Sequence, residues 1–131
     1  MPSSEVFEPG YLALLRSGEL SRRVRQAWEH LKACDLCARY CRVDRLSTLK
    51  GAICRTGEQA VVHSYGPHHG EEDPLRGEQG SGTIFFAYCN LRCVFCQNWP
   101  IAHRGEGKAV SDGELADMMM FLQGIGCHNI N

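Results

Sequence analysis

Hydrophobic and polar positions along this chain fall into stretches of different period. Pro2, Pro9 and Gly10 mark residues 1–10 as a loose lead-in, and the short apolar segment 11–16, closed by Ser17-Gly18, predicts a helix of a turn or two. Leu20, Val24, Ala27, Trp28 and Leu31 recur at helical spacing, with Arg22, Arg23, Arg25, Glu29 and Lys32 on the other face. The period changes to that of a strand at 59–65, centred on Val61 and Val62. It does so again at 83–88, a β-branched and aromatic run that predicts a buried strand. Ser111 and Glu114 form a capping-box pair ahead of Leu115, Met118, Met119 and Leu122, the predicted buried stripe of a helix that Gly124 and Gly126 end. Cys127-His-Asn-Ile-Asn131 reads as the opening of a further strand.

The order strand, loop, helix, incipient strand is one βα repeat and the beginning of the next, which predicts an α/β fold. Residues 1–76 read as a helical, cysteine-rich, metal-binding segment and 77–131 as the start of the α/β core. A parallel strand is buried on both faces and needs neighbours. An α/β barrel takes on the order of 200–250 residues, so the 131 residues read as the front of a larger protein. A product of this length would bury that edge by dimerising or by pairing with another chain.

Composition narrows the partners. The chain is 44% hydrophobic and 22% charged, as soluble domains are, and its net charge of -1 gives no reason to expect nucleic acid or an anionic membrane. The arginines of the second helix read as a solvated face. No apolar run approaches the roughly 18 residues of a membrane span, and the start of the chain, with Glu5 and Glu8, lacks a secretory pattern. The expected location is cytoplasmic.

Eight cysteines in such a chain call for metal or redox chemistry, because cytoplasmic disulfides are rare. Cys34, Cys37, Cys41 and Cys54 have the spacing C-x2-C-x3-C-x12-C. Two sulfurs from a tight turn and a fourth after a loop containing Gly51 can close a four-thiolate shell, which holds zinc or an iron–sulfur cluster. Cys89, Cys93 and Cys96 follow the 83–88 strand as C-x3-C-x2-C. Three thiolates leave one coordination position free, and sites in α/β folds collect beyond the carboxyl ends of strands. Cys127 reads as a small core residue. His63, His68 and His69 beside Glu71, Glu72 and Asp73 could suggest another metal site, but the stretch reads as a polar loop. The glycines at 77, 80 and 82 open a strand rather than a helix and so are no phosphate cradle.

C-x3-C-x2-C with an aromatic, Phe95, directly before its last cysteine resembles the signature of the radical S-adenosylmethionine (radical SAM) enzymes. The surroundings, Gly80-Ser-Gly-Thr-Ile-Phe-Phe and Cys89-Asn-Leu-Arg-Cys93-Val-Phe-Cys96-Gln-Asn98, resemble the pyruvate formate-lyase activating enzyme-like group, as do the Cys34–Cys41 segment and His128-Asn-Ile-Asn131. The resemblance implies the opening of a partial (β/α) TIM-type barrel. It also implies a 4Fe–4S cluster on Cys89, Cys93 and Cys96, with SAM chelated to the fourth iron. One-electron reduction would yield a 5′-deoxyadenosyl radical, with an electron donor such as flavodoxin or ferredoxin and, in this group, a glycine of a protein substrate as hydrogen source. Phe95 would pack near the adenine, and Asn90 and Asn98 would bond near the cluster or SAM or cap their own loop. Ala38 stands where members of the group often have proline, and the later barrel strands, with a glycine-rich SAM-binding segment, are absent from the sequence. The alternative is a non-catalytic zinc module, which needs a fourth ligand for the second group from His103 or Cys127. A two-cluster electron carrier is disfavoured because carriers normally have four protein ligands per cluster.

Overall fold

The sheet is organised around β1, Ala60–His68, in a computed structural model that describes residues 7–131; residues 1–6 of the lead-in lie outside it. Antiparallel neighbours β2 (Ser81–Phe86) and β3 (Lys108–Val110) flank it, giving the order β2-β1-β3. β1 runs past the predicted 59–65 because Gly66, Pro67 and His68 still find partners in Thr83, Gly82 and Ser81. Pro67 has no N–H to give, and β3 pairs only with Ala60, Val61 and Val62, so proline falls where that side asks for no donor. Val62 faces Phe86 while Ser64 faces Phe85, which makes His63 a bulge residue. Its Nδ1 meets the Glu106 carbonyl at 2.8 Å.

β2 lies two residues earlier than the predicted 83–88. The Ala87 amide makes a last rung to the Val61 carbonyl at 2.7 Å, and Tyr88 then takes a left-handed φ of 66° that turns the chain out of the sheet. The expectation of a buried strand holds for Ile84 but not for Phe85 and Phe86, which are exposed. β3 was not predicted. A π-helical turn, Pro100–Arg104, leads into this three-residue strand, of which Val110 alone is buried.

Helix α4 spans Asp112–Gly124, with the predicted capping box: Ser111 Oγ accepts from the Glu114 amide at 3.2 Å and Glu114 Oε2 accepts from the Ser111 amide at 2.7 Å. Leu122 is fully buried with Val62, Ile84 and Val110, and Leu115, Met118, Cys127 and Ile130 pack around them. A side chain so buried contributes about 1.5–3 kcal/mol. Met119 departs from the predicted stripe and is 44% exposed, lying beyond the arc that the three-stranded sheet covers.

After α4 the chain returns beside β2 in parallel, through a Gly82–Ile130 bridge. Amide–carbonyl bonds of His128 to Gly80 at 2.9 Å, Gly82 to Asn129 at 2.9 Å and Ile84 to Asn131 at 2.8 Å hold it there. Buried Ser81 joins in: its Oγ meets Asn129 Oδ1 at 2.6 Å and accepts from Asn131 Nδ2 at 2.5 Å. The sheet thus draws on both sides of residue 76.

Ahead of the sheet, α1 (Gly10–Arg16) and α2 (Glu19–Lys32) form a hairpin hinged at Gly18, whose φ of 75° suits glycine. Neither helix has a buried residue. Val24 on the predicted apolar face of α2 is 49% exposed, because seven-residue α1 is too short to cover that face. At the start of α2, hydrogen bonds from Arg22 and Arg23 pull the Glu19 carboxyl down to about 2. A four-residue helix α3, Asp73–Arg76, lies between β1 and β2. No helix among the described residues is long and apolar enough to cross a membrane.

Candidate metal centres

The first cysteine group sits where α2 gives way to irregular chain. The Cys34 amide donates to the Val43 carbonyl at 3.0 Å and the Arg42 amide returns to the Cys34 carbonyl at 2.9 Å, closing residues 34–43 into a loop. Tyr40 and Arg42, with φ of 44° and 55°, flank Cys41 in left-handed conformation, so the backbone doubles back at the thiol. Cys34 is buried, and Cys37, Cys41 and Cys54 are half-buried, all with free thiols. Arg45 ties the two parts of the group together. Its guanidinium donates to the carbonyls of Thr56 at 2.7 Å and Gly57 at 2.9 Å, next to Cys54, and Nη1 points at Cys34 Sγ at 3.6 Å. Sequence reading missed Arg45; its only signal was a basic residue inside the cysteine interval.

The second group begins where Tyr88 leaves β2. The Tyr88 amide is anchored on the Ile101 carbonyl at 2.9 Å, and the Leu91 amide lies 3.4 Å from Cys89 Sγ as a donor to sulfur. Arg92, φ 57°, makes the same left-handed turn before Cys93 that Tyr40 makes before Cys41. His103, only 7% exposed, comes from the π-helical turn, and its Nε2 meets the Cys93 carbonyl at 3.1 Å. Because a carbonyl only accepts, Nε2 carries the proton in this contact. Asn98 opens the π-helical turn, its carbonyl accepting from the Ala102 amide at 2.8 Å. Phe95 is 88% exposed at the tip of the loop, beside exposed Val94.

These groups meet. Cys34, Cys37, Cys41 and Cys54 line a cleft of about 500 Å³ together with Cys89 and Asn90, and with the side chains of Arg39 and Arg45. Cys93 and Cys96 lie outside that lining. A hydrogen bond from the Asn90 side chain holds the Cys37 thiol below its usual range, helped by the Arg39 backbone and by the charges of Arg39 and Arg45. A lowered thiol pKa favours the thiolate, which is the metal-ligating form.

Among the described residues no three Cys, His, Asp or Glu side chains converge on a point where one ion could sit. Zinc and iron–sulfur clusters both take thiolate ligands. The donor set fits: all seven ligand candidates are soft sulfurs without disulfide partners, and the surrounding donors are cationic or amide N–H groups. Of the candidates for a fourth zinc ligand, His103 Nε2 meets the Cys93 carbonyl, and half-buried Cys127 packs against the core with its sulfur 4.0 Å from the Gln79 carbonyl. His63 and His68 lie on β1, and His69 follows it.

No family model matches the chain, and no solved structure matches it at a significant level. The chain is similar to the uncharacterized protein MJ0674 of Methanocaldococcus jannaschii, with 38% identity over 96 residues. The shared region is 73% of this chain and 27% of that protein, so the chain spans about a quarter of the length of the curated relative it matches.

Proposed function

We propose that this chain carries the cluster-binding opening of a radical SAM protein, with Cys89, Cys93 and Cys96 as thiolate ligands of a 4Fe–4S cluster that leaves one iron open to SAM. The observation that carries the reading is the passage from β2 into C-x3-C-x2-C: Phe86 ends the strand and Cys89 follows after one left-handed turn at Tyr88. When bound, the cluster and SAM supply one-electron cleavage of the sulfonium and hence radical chemistry, which belongs to the cofactors.

The chain's own residues hold the loop for that purpose. Tyr88 anchors its start on Ile101, His103 holds the Cys93 carbonyl, and the Leu91 amide points at the Cys89 sulfur, where it would offset thiolate charge. Exposed Phe95 is available to pack on the adenine of SAM, and Asn90 sits between the two cysteine groups. Asn98 contributes through its backbone to the π-helical turn. Cys34, Cys37, Cys41 and Cys54 form a second site, for zinc or a further iron–sulfur cluster. The proposed continuation as a (β/α) barrel takes its support from the parallel Gly82–Ile130 bridge. A protein substrate bearing a glycine, and a donor such as flavodoxin or ferredoxin, follow from the resemblance alone.

The test is anaerobic reconstitution of the chain with iron and sulfide, reduction, and electron paramagnetic resonance with and without SAM. A brown protein whose reduced signal shifts on adding SAM is expected, with 5′-deoxyadenosine as the further product to assay. A colourless zinc protein, or a cluster indifferent to SAM, would sink the proposal.

A further inference from the structure

Both cysteine groups contain a C-x3-C interval, Cys37 to Cys41 and Cys89 to Cys93, and the residue before the second cysteine of each is left-handed. Arg39 lies inside the first interval. Its Nε donates to the Asn90 carbonyl and its Nη2 to the Leu91 carbonyl, both at 2.9 Å, and these two residues lie inside the second interval. One guanidinium fork therefore spans two consecutive carbonyls of the other loop, a geometry that lysine cannot reproduce.

We infer that the two cysteine sites are coupled through Arg39, so that a metal held by Cys34, Cys37, Cys41 and Cys54 orders the Cys89–Cys93 loop. A metal bound to Cys37 and Cys41 fixes the backbone on both sides of Arg39. The side chain then presents its fork from a set position, and the carbonyls of Asn90 and Leu91 are held before the second site is filled. With the first site empty, residues 38–40 are tethered at neither end by a ligand, and the fork loses that constraint. Arg39 is thus a positioning residue for a loop more than 50 residues away in sequence. The first site, by this inference, does more than stabilise its own segment. The inference rests on reading Cys34, Cys37, Cys41 and Cys54 as a metal site.

The experiment uses the full chain carrying Cys93→Ser and Cys96→Ser, so that added zinc is confined to the first group. Hydrogen–deuterium exchange of amides 89–92 is followed with and without zinc, and bound zinc is counted in each sample. Zinc is expected to slow exchange at 89–92 roughly tenfold, in keeping with hydrogen bonds from a charged donor. Arg39→Gln is expected to abolish that slowing while still binding one zinc per chain, and Arg39→Lys to lose most of it. Bound zinc without slowing, or slowing that survives Arg39→Gln, overturns the coupling. Failure to bind zinc at all overturns the metal-site reading, and the coupling falls with it.

Discussion

Trp99 lies flat on His103, ring centroids 3.8 Å apart and planes within 10°, while the same histidine holds the Cys93 carbonyl at 3.1 Å. The indole covers the imidazole, so the contact to the cysteine loop is made by a buried donor. His103→Ala removes that donor and leaves the carbonyl of exposed Cys93 to water, a loss of about 0.5–1.5 kcal/mol. Urea unfolding should show it, and His103→Gln, which keeps an N–H donor, should recover part. A midpoint unchanged in His103→Ala would mean that the contact does not hold the loop.

Cys93→Ala should remove the second centre and leave the first. Iron and zinc per chain, read beside the visible spectrum, should fall by the content of one site. Loss of all bound metal would show that the seven cysteines serve a single site rather than two.

Gly105 stands against Tyr88 with a φ of 76°, and a Cβ there would overlap the tyrosine ring. Gly105→Ala combines that overlap with a left-handed backbone costing on the order of 1–3 kcal/mol for a residue with a side chain. The expected outcome is a lowered melting temperature together with faster alkylation of Cys89, the next residue after Tyr88. Unchanged alkylation would separate the turn at Gly105 from the cysteine loop.

The capping box of α4 gives a prediction about acid. Backbone and side-chain hydrogen bonds from Ser111 hold the Glu114 carboxyl below its ordinary 4.5. Its contribution is therefore fully present above pH 4.5 and is lost as pH falls through the lower folded value. The stability difference between the natural chain and Glu114→Gln should be constant near neutrality and shrink in acid. Ser111→Ala should cost about 1 kcal/mol at neutral pH. A difference that grows in acid would contradict the assigned direction.

Much of the fold was legible where one local signal governed the outcome. The helical spacing from Leu20 to Leu31, the Ser111–Glu114 box and the β-branched core of β2 each announce themselves within a few residues. β3 did not, because three residues with a single buried side chain carry no period; β1 makes them a strand by pairing. The antiparallel arrangement was equally hidden, since it follows from where β1 returns rather than from its composition. Both cysteine groups were legible from spacing, yet the cleft that the first group shares with Cys89 was not. Arg39 and Arg45 reach backbone carbonyls in other loops, and no pattern in sequence marks a side chain for that. His103 had one usable signal: Trp99 stands four residues before it, the spacing at which helical side chains meet.

The pairing of Val62 has a mechanical consequence. It faces Phe86 on one side and Lys108 on the other, so the excursion through residues 87–107 leaves and rejoins the sheet on either side of one residue. With neighbouring strands about 4.8 Å apart, its two feet are separated by roughly 10 Å whatever lies between them. Closing such a span costs free energy that grows only slowly with the number of residues enclosed. The excursion that carries Cys89, Cys93 and Cys96 is thus an exchangeable insert on a fixed mount: its interior can lengthen or shorten while the register of the sheet is kept.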